Sequence, residues 1–489
     1  MEVKINNGII KGLREKGVYA FKGIPFAKPP VGNLRFKPPS PCEDWFGVLD
    51  CTCYGPRPCQ NPPPWCGDRA IAVYGEDCLN LNVWTPGADD KKRPVVFNIF
   101  GGGHMEGSNS EIGSEGYNLA HGRDMVVVSP NYRVGALGYL YLGRLLGEEY
   151  AASGNSGLLD QVLALKWVKD NIAFLGGDPN RVTIIGQSAG GKSVASLMVT
   201  PEASGLFHRA VIMSGALQSI TDIPTDNALT GNFLSAMGLQ EKDASKLLSC
   251  PVQDILEAQE AANKIYFKAE SYGPTADGVV VPLDIKAYIL QGKLPKIPVM
   301  MGHTREELHF PPEADTEDIG LEAVADKFRW KFGDNGAYIM ELYKKARLTM
   351  DYAEAYGSIA TEYTYVQAYK QTVELFKSQG LPLWLYRWDF RGGHIAHHSS
   401  DNEALFGRSN PLKLQREPEA VHFLDHVFQD AVLSFIEDGY PHSPDLPPWN
   451  PCGPGELSRL LFDWPPRLEK LEELPYDRNF PLQVFCLSG

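Results

Sequence analysis

A serine between two glycines, in the order Gly-Gln-Ser-Ala-Gly at residues 186–190, has the spacing of an activated nucleophile. The hydroxyl of Ser188 can attack a carbonyl carbon only if a base removes its proton and nearby dipoles stabilise the oxyanion. Such a serine stands on a sharp turn from a strand to a helix, where side chains in place of Gly186 and Gly190 would collide. The apolar run 182–185 and the helix-like pattern 193–198 flank the motif as this turn requires. A glycine-rich turn with an incidental serine is the alternative interpretation.

Three consecutive glycines at residues 101–103 could supply the dipoles. Glycines leave backbone N–H groups free to point at a carbonyl oxygen, so Gly102 and Gly103 are candidate donors. Ala189, which follows the serine at the start of the predicted helix, is a third candidate. A phosphate-binding loop is a poor alternative because the Lys-Ser/Thr pair that it needs is missing, whereas a plain flexible turn stays open.

Short β-branched runs must position these groups, and they alternate with helical patterns along the chain. The runs that predict strands cover residues 94–100, 125–129, 182–185, 210–213, 297–301 and 383–388. Near-continuous apolar runs of this kind are typical of strands that are covered on both faces. The fold class is therefore α/β, with a mostly parallel central sheet. Residues 1–8 alternate polar and apolar side chains up to an Asn-Gly turn, which predicts a first hairpin.

Longer helical patterns lie between the strands. Residues 158–172 have one apolar helical face, and the glycines at 176 and 177 end it. Two inserts, at about 217–292 and 311–380, also have helical patterns. Ligands bind at the carboxyl edge of open α/β sheets, so we expect these inserts to form a cap there. One domain over residues 1–489, without internal repeats, fits this organisation better than three separate domains.

Composition restricts the partners of this chain. It has 489 residues, with 46 basic and 60 acidic side chains and a net charge of −14. This acidic balance excludes a nucleic-acid partner, because such binding needs a basic surface. No apolar run reaches the roughly 18 residues of a membrane span. Neither a signal peptide nor an Asn-x-Ser/Thr sequon is present, so we expect an intracellular protein, with a secreted mature form as the alternative. The sequence does not indicate an oligomeric state.

Metal and cofactor sites are not indicated. The nine cysteines include only one close pair, Cys51 and Cys53, and no second pair completes a zinc site. The histidines at 394, 397 and 398 are spaced as H-x-x-H-H, which lacks the H-E-x-x-H spacing of a helical zinc site. We therefore predict no metal and no organic cofactor.

Several stretches resemble, in the same order, the type-B carboxylesterase family of cholinesterases, Candida rugosa-type lipases and p-nitrobenzyl esterases. They cover residues 22–32, 34–36, 76–83, 131–133, 154–161, 176–179 and 207–210. The resemblance is continuous over residues 20–215 and thins after that. It implies an α/β-hydrolase fold with a cap over an active-site gorge. It also implies a triad in the order serine, acid, histidine.

The acid of that triad lies, in the family, in a segment resembling G-x-T-x-D-E-G. Residues 302–308 match it, so the resemblance implies that Glu307 is the acid. Glu306 stands where the family usually has Asp, and Leu308 replaces the final Gly. Because adjacent side chains on a turn can exchange roles, Glu306 stays open as the alternative.

The catalytic histidine of the family lies nine residues before the Gly of a closing Phe-Gly. Counting back from Gly407 gives His398, with His397 as the nearest alternative. The resemblance also implies a disulfide between Cys59 and Cys78, although both would be thiols in a reducing cytosol. Only 18 residues separate them, which is short for the lid that fungal lipases carry in this interval.

Three positions bear on the substrate. Gln187 replaces the Glu of cholinesterases and so removes a negative charge beside the nucleophile that would favour a cationic substrate. His104 replaces the usual Phe after the glycines, which would place a polar group on the pocket wall. Trp65 could line the gorge, although packing is the commoner role of a tryptophan in a proline-rich loop.

These residues together predict a serine carboxylic-ester hydrolase that acts through an acyl-enzyme on small to medium organic esters. An acyl transferase with the same triad and an alcohol acceptor is the close alternative. A non-catalytic cholinesterase-like interaction protein is the remote one, because such proteins usually lose the serine or the histidine, and both persist here.

Overall fold

The structure is a computed structural model of the chain. It describes residues 1–15, 17–61, 72–111, 115–265, 272–308, 320–392, 395–407, 418–453, 456–483 and 486. In chain order the strands are β1 (Glu2–Ile5), β2 (Gly8–Lys11), β3 (Leu13–Glu15), β4 (Val18–Pro25), β5 (Val48–Asp50), β6 (Arg57–Pro58), β7 (Tyr74–Gly75), β8 (Asn80–Thr85), β9 (Arg93–Ile99), β10 (Val126–Pro130), β11 (Gly177–Gln187), β12 (Arg209–Met213), β13 (Thr221–Asp222), β14 (Thr275–Ala276), β15 (Val299–Thr304), β16 (Leu383–Trp388), β17 (Leu457–Phe462) and β18 (Arg467–Leu471).

The helices surround these strands. They are α1 (Tyr117–Ala120), α2 (Gly135–Tyr139), α3 (Gly143–Leu146), α4 (Ser156–Asn171), α5 (Ala189–Met198), α6 (Ile223–Ala236), α7 (Val252–Ile265), α8 (Ile285–Leu290), α9 (Gly320–Phe332), α10 (Gly336–Ala346), α11 (Tyr352–Thr361), α12 (Gln367–Ser378), α13 (Ser400–Leu405) and α14 (Pro418–Asp438). A π-helical turn, Glu362–Val366, joins α11 to α12. Among the described residues, short 3-10 turns lie at Gly32–Leu34, Glu148–Tyr150, Ser153–Asn155, Ile172–Leu175, Pro201–Ala203, Leu217–Ser219, Glu241–Leu248 and Gly333–Asn335.

The large central sheet has the strand order β18-β17-β16-β15-β12-β11-β9-β10-β8-β4-β3. Its middle, from β17 to β10, is parallel, whereas β18 at one end and β8, β4 and β3 at the other pair antiparallel. The strands in the middle are buried along almost their whole length, because helices cover both faces. The predicted mostly parallel α/β fold is thus confirmed.

Side chains alternate between two apolar clusters on the two faces of this sheet. Met301 and Leu385 join the larger cluster, which includes α4, α5 and α12. Their chain neighbours Met300 and Tyr386 point to the opposite face and join the other cluster, which is built around α14. Because the carboxyl ends of the parallel strands meet at one edge, residues that follow β9, β11, β15 and β16 come together there.

The local predictions agree with the structure in most places. The first hairpin pairs Ile5 with Gly8 across the turn at Asn6 and Asn7. The predicted helix at 158–172 corresponds to α4, but Gly177 already begins β11. The insert at 217–292 contains α6, α7 and α8, and the described part of the second insert contains α9 to α12. No helix within the described ranges is long and apolar enough to cross a membrane.

Candidate active site

The turn between β11 and α5 places Ser188 at its apex. Ser188 has φ 59° and ψ −126°, a left-handed backbone conformation that is strained for a residue with a side chain. Two glycines make the turn sterically feasible. A Cβ on Gly190 would overlap the carbonyl oxygen of Ile99, and one on Gly186 would overlap the backbone of Gly190. The Gly-x-Ser-x-Gly pattern therefore encodes a backbone shape that only these small residues allow.

The glycine loop after β9 lies directly against this turn. A Cβ on Gly101 would lie 3.2 Å from the Cβ of Ser188. Gly102 and Gly103 both have positive φ, 111° and 64°, which turns the loop back on itself. In the described part of the chain, the backbone hydrogen bonds of the turns and loops do not use the N–H groups of Gly102, Gly103 or Ala189. All three are available to a ligand oxygen.

Glu307 follows β15 at the same edge of the sheet and is buried. Its Oε1 accepts a hydrogen bond from the Thr304 N–H at 2.8 Å, and its Oε2 contacts Nδ1 of His398. Burial acts first to raise the pKa of Glu307, but His398 and the Ser214 hydroxyl together hold it below its ordinary value. Glu307 is therefore a buried carboxylate that stays ionised beside the imidazole.

His398 lies in the loop after β16, between that carboxylate and the serine turn. Since Nδ1 faces Glu307, it carries the ring proton and leaves Nε2 as an acceptor. Nε2 lies 3.2 Å from the amide nitrogen of Gln187, the residue before Ser188. The described hydrogen bonds do not include one between Ser188 and His398. The ring of Tyr365 packs against the imidazole at 5.0 Å between centroids.

Glu306 and His397, the alternatives to Glu307 and His398, contact other groups. The carboxylate of Glu306 contacts Arg391 and accepts a hydrogen bond from the Ala396 N–H at 2.7 Å. Nδ1 of His397 faces the carbonyl oxygen of His398 at 2.7 Å. The side-chain contacts thus join Glu307 to His398. His394 lies outside the described residues, and no group of three metal-ligating side chains occurs within those that are described.

The predicted pocket residues have different surroundings. Gln187 is 8% exposed and faces His398, as described above. His104 lies in the interior instead of on an open wall, because Nε2 pairs with the Ser193 hydroxyl at 3.2 Å and its ring packs on Tyr139. Trp65 lies outside the described residues.

Cys59 and Cys78 are free thiols in the structure, so the disulfide implied by the resemblance is not formed there. Both are buried, and burial raises the pKa of the Cys59 thiol to about 12 and that of the Cys78 thiol well above its ordinary value. Such thiols are protonated at neutral pH and are poor nucleophiles.

Three further residues belong to this site and were missed from the sequence. Ser214, with φ 47°, directly follows β12 and lies beside Glu307. Tyr365 comes from the π-helical turn, a feature that no residue pattern indicated. Asp401 is fully buried three residues after His398, and its Oδ2 accepts a hydrogen bond from Tyr386 at 2.7 Å. Ser214 could have been found from the sequence, because it follows the carboxyl end of a predicted strand, where ligands of such sheets bind.

Comparison with known proteins identifies the family of this chain. Residues 1–474 match the carboxylesterase family. The chain is 35% identical to para-nitrobenzyl esterase of Bacillus subtilis (strain 168) over 463 residues, 89% of this chain and 89% of that protein. It is 30% identical to phenmedipham hydrolase of Pseudarthrobacter oxydans, over 90% and 91% of the two chains.

A crystal structure of the Geobacillus stearothermophilus carboxylesterase EST55 at pH 6.2 superimposes with a TM-score of 0.84 at 33% identity. The match covers 96% of this chain and 97% of that one. A structure of PNB esterase superimposes with a TM-score of 0.83 at 32% identity over the same shares. These relatives are esterases or hydrolases, which does not support acyl transfer as the reaction. The chain belongs to the carboxylesterase family and is a serine ester hydrolase with the α/β-hydrolase fold.

Proposed function

We propose that Ser188, His398 and Glu307 form the catalytic triad of this esterase. The observation that carries the proposal is the placement of His398, with Nδ1 on the buried carboxylate of Glu307 and Nε2 beside the residue that precedes the serine. A histidine held in this way by an ionised acid has the correct tautomer for a general base.

The reaction begins when Ser188 Oγ attacks the ester carbonyl and His398 Nε2 takes the hydroxyl proton. Glu307 stabilises the imidazolium that results. His398 then gives the proton to the leaving alcohol. Water attacks the acyl-enzyme next, and His398 takes the proton of the water and returns it to Ser188 Oγ as the acid product leaves. Before the first attack, the Gln187 amide must leave Nε2 of His398, a rotation of one side chain that frees the nitrogen for Ser188.

The N–H groups of Gly102, Gly103 and Ala189 would stabilise the oxyanion. The loop begins against the serine turn at Gly101, Ala189 directly follows Ser188 at the start of α5, and no hydrogen bond of the described backbone loops uses these N–H groups. Fixed backbone donors of this kind cost no reorganisation when the charge develops, and one such donor is worth roughly 10²–10³ in rate.

The substrate class we propose is small to medium, uncharged organic esters. Gln187 beside Ser188 is neutral, so the site lacks the carboxylate that would attract a cationic alcohol there. The interval between Cys59 and Cys78 is short for a long lid. The helices of the inserts at about 217–292 and 311–380 would form the cap that limits the size of the acyl and alcohol groups, in one domain over residues 1–489.

Turnover of p-nitrophenyl acetate, measured before and after treatment with an organophosphate, tests this proposal. We expect turnover to be lost in proportion to phosphorylation of Ser188, located by peptide mass spectrometry. Butyrylthiocholine and its uncharged thioester analogue of the same length should differ little in kcat/KM. Turnover that persists after full labelling, or a label on another residue, would refute the assignment of the nucleophile.

A further inference from the structure

A lysine is buried close to the nucleophile, in the helix that begins at the serine turn. Lys192 is the fourth residue of α5 and is 0% exposed. Its backbone N–H donates to the carbonyl oxygen of Ser188 at 2.9 Å, so it lies one helical turn after the serine. Side chains on a helix lean toward its N-terminus, which directs this one back toward the serine turn. Lysine is rarely buried so completely unless other groups compensate its charge.

The ring of Tyr365 is one of the groups around this ammonium. Nζ of Lys192 lies 5.3 Å from the centroid of the ring, within the range of a cation–π contact. The ring is 5% exposed and comes from the π-helical turn at Glu362–Val366. Exclusion of water strengthens such a contact, because solvent does not compete for the ammonium. The contact therefore holds the π-helical turn to α5.

The same ring contacts the general base. Its centroid lies 5.0 Å from that of the His398 imidazole, and the two rings are tilted by 43°. Glu307 at Nδ1 and Gln187 at Nε2 hold the edge of the imidazole. A ring held at two edge atoms can still rotate about the line that joins them, and this rotation changes the direction of the Nε2 lone pair. The packing of Tyr365 against the imidazole limits that rotation.

Lys192 therefore connects the two parts of the site. It lies in the helix that begins at the nucleophile, and its contact with Tyr365 reaches the ring of the base. Since Lys192 is 0% exposed, a substrate does not touch it, which excludes a direct role in binding the ester. A lysine that only filled space would need its aliphatic stem alone, and an uncharged side chain of similar length would serve as well.

We propose that Lys192 is a positioning residue of this esterase. Its ammonium holds the ring of Tyr365 against His398, and the ring aims the Nε2 lone pair for proton transfer from Ser188. The proposal rests on the triad proposed above, in which His398 is the general base. Because the role is indirect, its loss should slow the chemical steps and leave ground-state binding of the ester unchanged.

Lys192→Gln tests the charge, because the amide stays polar and forms hydrogen bonds but has no cation. With p-nitrophenyl acetate we expect kcat/KM to fall by about 10–100-fold, since a small misplacement of a catalytic group costs up to about 10²-fold. The inhibition constant of p-nitroacetanilide, the matching amide, reports ground-state binding and should change by less than about threefold. Lys192→Met, a second uncharged replacement, should behave in the same way. A kcat/KM within about twofold of the unmodified chain in either variant would overturn the proposal.

A second experiment changes the ring and leaves Lys192 in place. Phenylalanine and trifluorophenylalanine, incorporated in place of Tyr365, differ little in shape, but fluorine withdraws electrons and weakens the negative face of the ring. With Lys192 present, the fluorinated ring should lower kcat/KM by about fivefold or more relative to phenylalanine. In Lys192→Gln the two rings should differ by less than about twofold, since the cation is absent. An equal effect in both backgrounds, or no effect of fluorine beside Lys192, would overturn the proposal.

Lys22→Gln is the matched control. Lys22 on β4 is also buried, its Nζ lies 4.6 Å from the centroid of the Tyr54 ring, and it pairs with Glu15 at 3.1 Å. Its kcat/KM should stay within about twofold of the unmodified chain, even where thermal melts show a loss of stability. A loss equal to that of Lys192→Gln would show that any buried lysine has this effect and would overturn the proposal.

The kcat/KM of His398→Ala separates this proposal from the triad on which it rests. If His398→Ala keeps its activity, the triad is wrong and the positioning role falls with it. If His398→Ala is inactive while Lys192→Gln is as active as the unmodified chain, the triad stands and only the role of Lys192 is wrong.

Discussion

The turn that carries Ser188 and the loops that carry Glu307 and His398 are built in different ways. At the turn, backbone shape determines the position of Ser188. Gly186 and Gly190 are needed because any Cβ there would overlap neighbouring backbone atoms. In the loops, side-chain contacts determine the arrangement, since His398 contacts the carboxylate of Glu307, 91 residues away in the chain. The turn is thus encoded within five residues, whereas the contact between Glu307 and His398 depends on the correct pairing of β15 with β16.

Substitutions in the two regions therefore have different effects. Larger residues in place of Gly186 or Gly190 would overlap neighbouring backbone atoms and shift the turn, so they affect stability as well as activity. Conservative changes to Glu307 or His398 alter the contact between these two side chains and leave the strands in place, so they affect activity far more than stability.

Ser188→Ala and His398→Ala should each lower kcat by at least ~10⁴, because triad members act as a unit. Neither should change the melting temperature by more than a few degrees, since Ser188 is held by its backbone and His398 is partly exposed. Steady-state kinetics and thermal melts check this. His397→Ala is the control and should keep most activity; if it is the inactive variant, the base is His397 and the register of this loop is wrong by one residue.

Glu307→Gln should lower kcat by about 10³–10⁴, because an amide cannot stabilise the imidazolium and allows the wrong tautomer. Glu306→Gln is matched in size and chemistry, and it should cost less than about tenfold, since Glu306 contacts Arg391 and the Ala396 N–H and not the imidazole. A larger loss in Glu306→Gln than in Glu307→Gln would transfer the role of the acid to Glu306.

Most of the turn could be predicted from the sequence, because its pattern is local. The loops could be predicted only in part, because their contacts join residues that are distant in the chain. Gly186, Ser188 and Gly190 were found because their pattern is local. The residues alone did not separate Glu306 from Glu307, because which of two adjacent side chains faces a distant loop depends on the fold. In the structure Glu306 contacts the Ala396 N–H and Glu307 contacts His398. The prediction of Glu307 as the acid and His398 as the base came from the resemblance to a family and not from periodicity.

Other features had no sequence signal. The π-helical turn that brings Tyr365 to His398 leaves no mark on the apolar pattern of α11 and α12. His104 was expected on a pocket wall because it replaces an aromatic residue, but its left-handed φ of 58° and the hydroxyl of Ser193 turn it into the interior. The strands of the parallel sheet were predictable, since burial on both faces makes each one a continuous apolar run.

Gly190→Ala should destabilise the chain by about 1–3 kcal/mol, because the new Cβ overlaps the carbonyl oxygen of Ile99 and the turn must shift. Gly231→Ala is the matched control: it lies in α6, a Cβ there meets nothing within 4 Å, and the substitution should stabilise by about 0.5–1 kcal/mol. Urea unfolding measures both. Equal effects at the two sites would show that the glycines of the turn are not sterically required.

Asp401→Asn should change how stability depends on pH. Burial, and then the negative charge of Glu307, raise the pKa of Asp401 to about 6. Because the pKa is raised in the folded state, the folded chain holds this proton more tightly than the unfolded chain does. The stabilisation is complete below about pH 4 and is lost as the pH rises through about 6, an effect on the order of 3 kcal/mol for two pKa units.

An asparagine cannot ionise, yet its oxygen can still accept the hydrogen bond from Tyr386. The melting temperature of Asp401→Asn, relative to the unmodified chain, should therefore rise between pH 4 and pH 8. Asp445→Asn, at an exposed aspartate, should follow the unmodified chain throughout. If Asp401→Asn instead loses stability relative to the unmodified chain as the pH rises, Asp401 is stabilised as a carboxylate. Its charge would then help to hold His398 and Glu307 in place. Asp401 would be a second buried acid, after Glu307, that positions these loops through side-chain contacts.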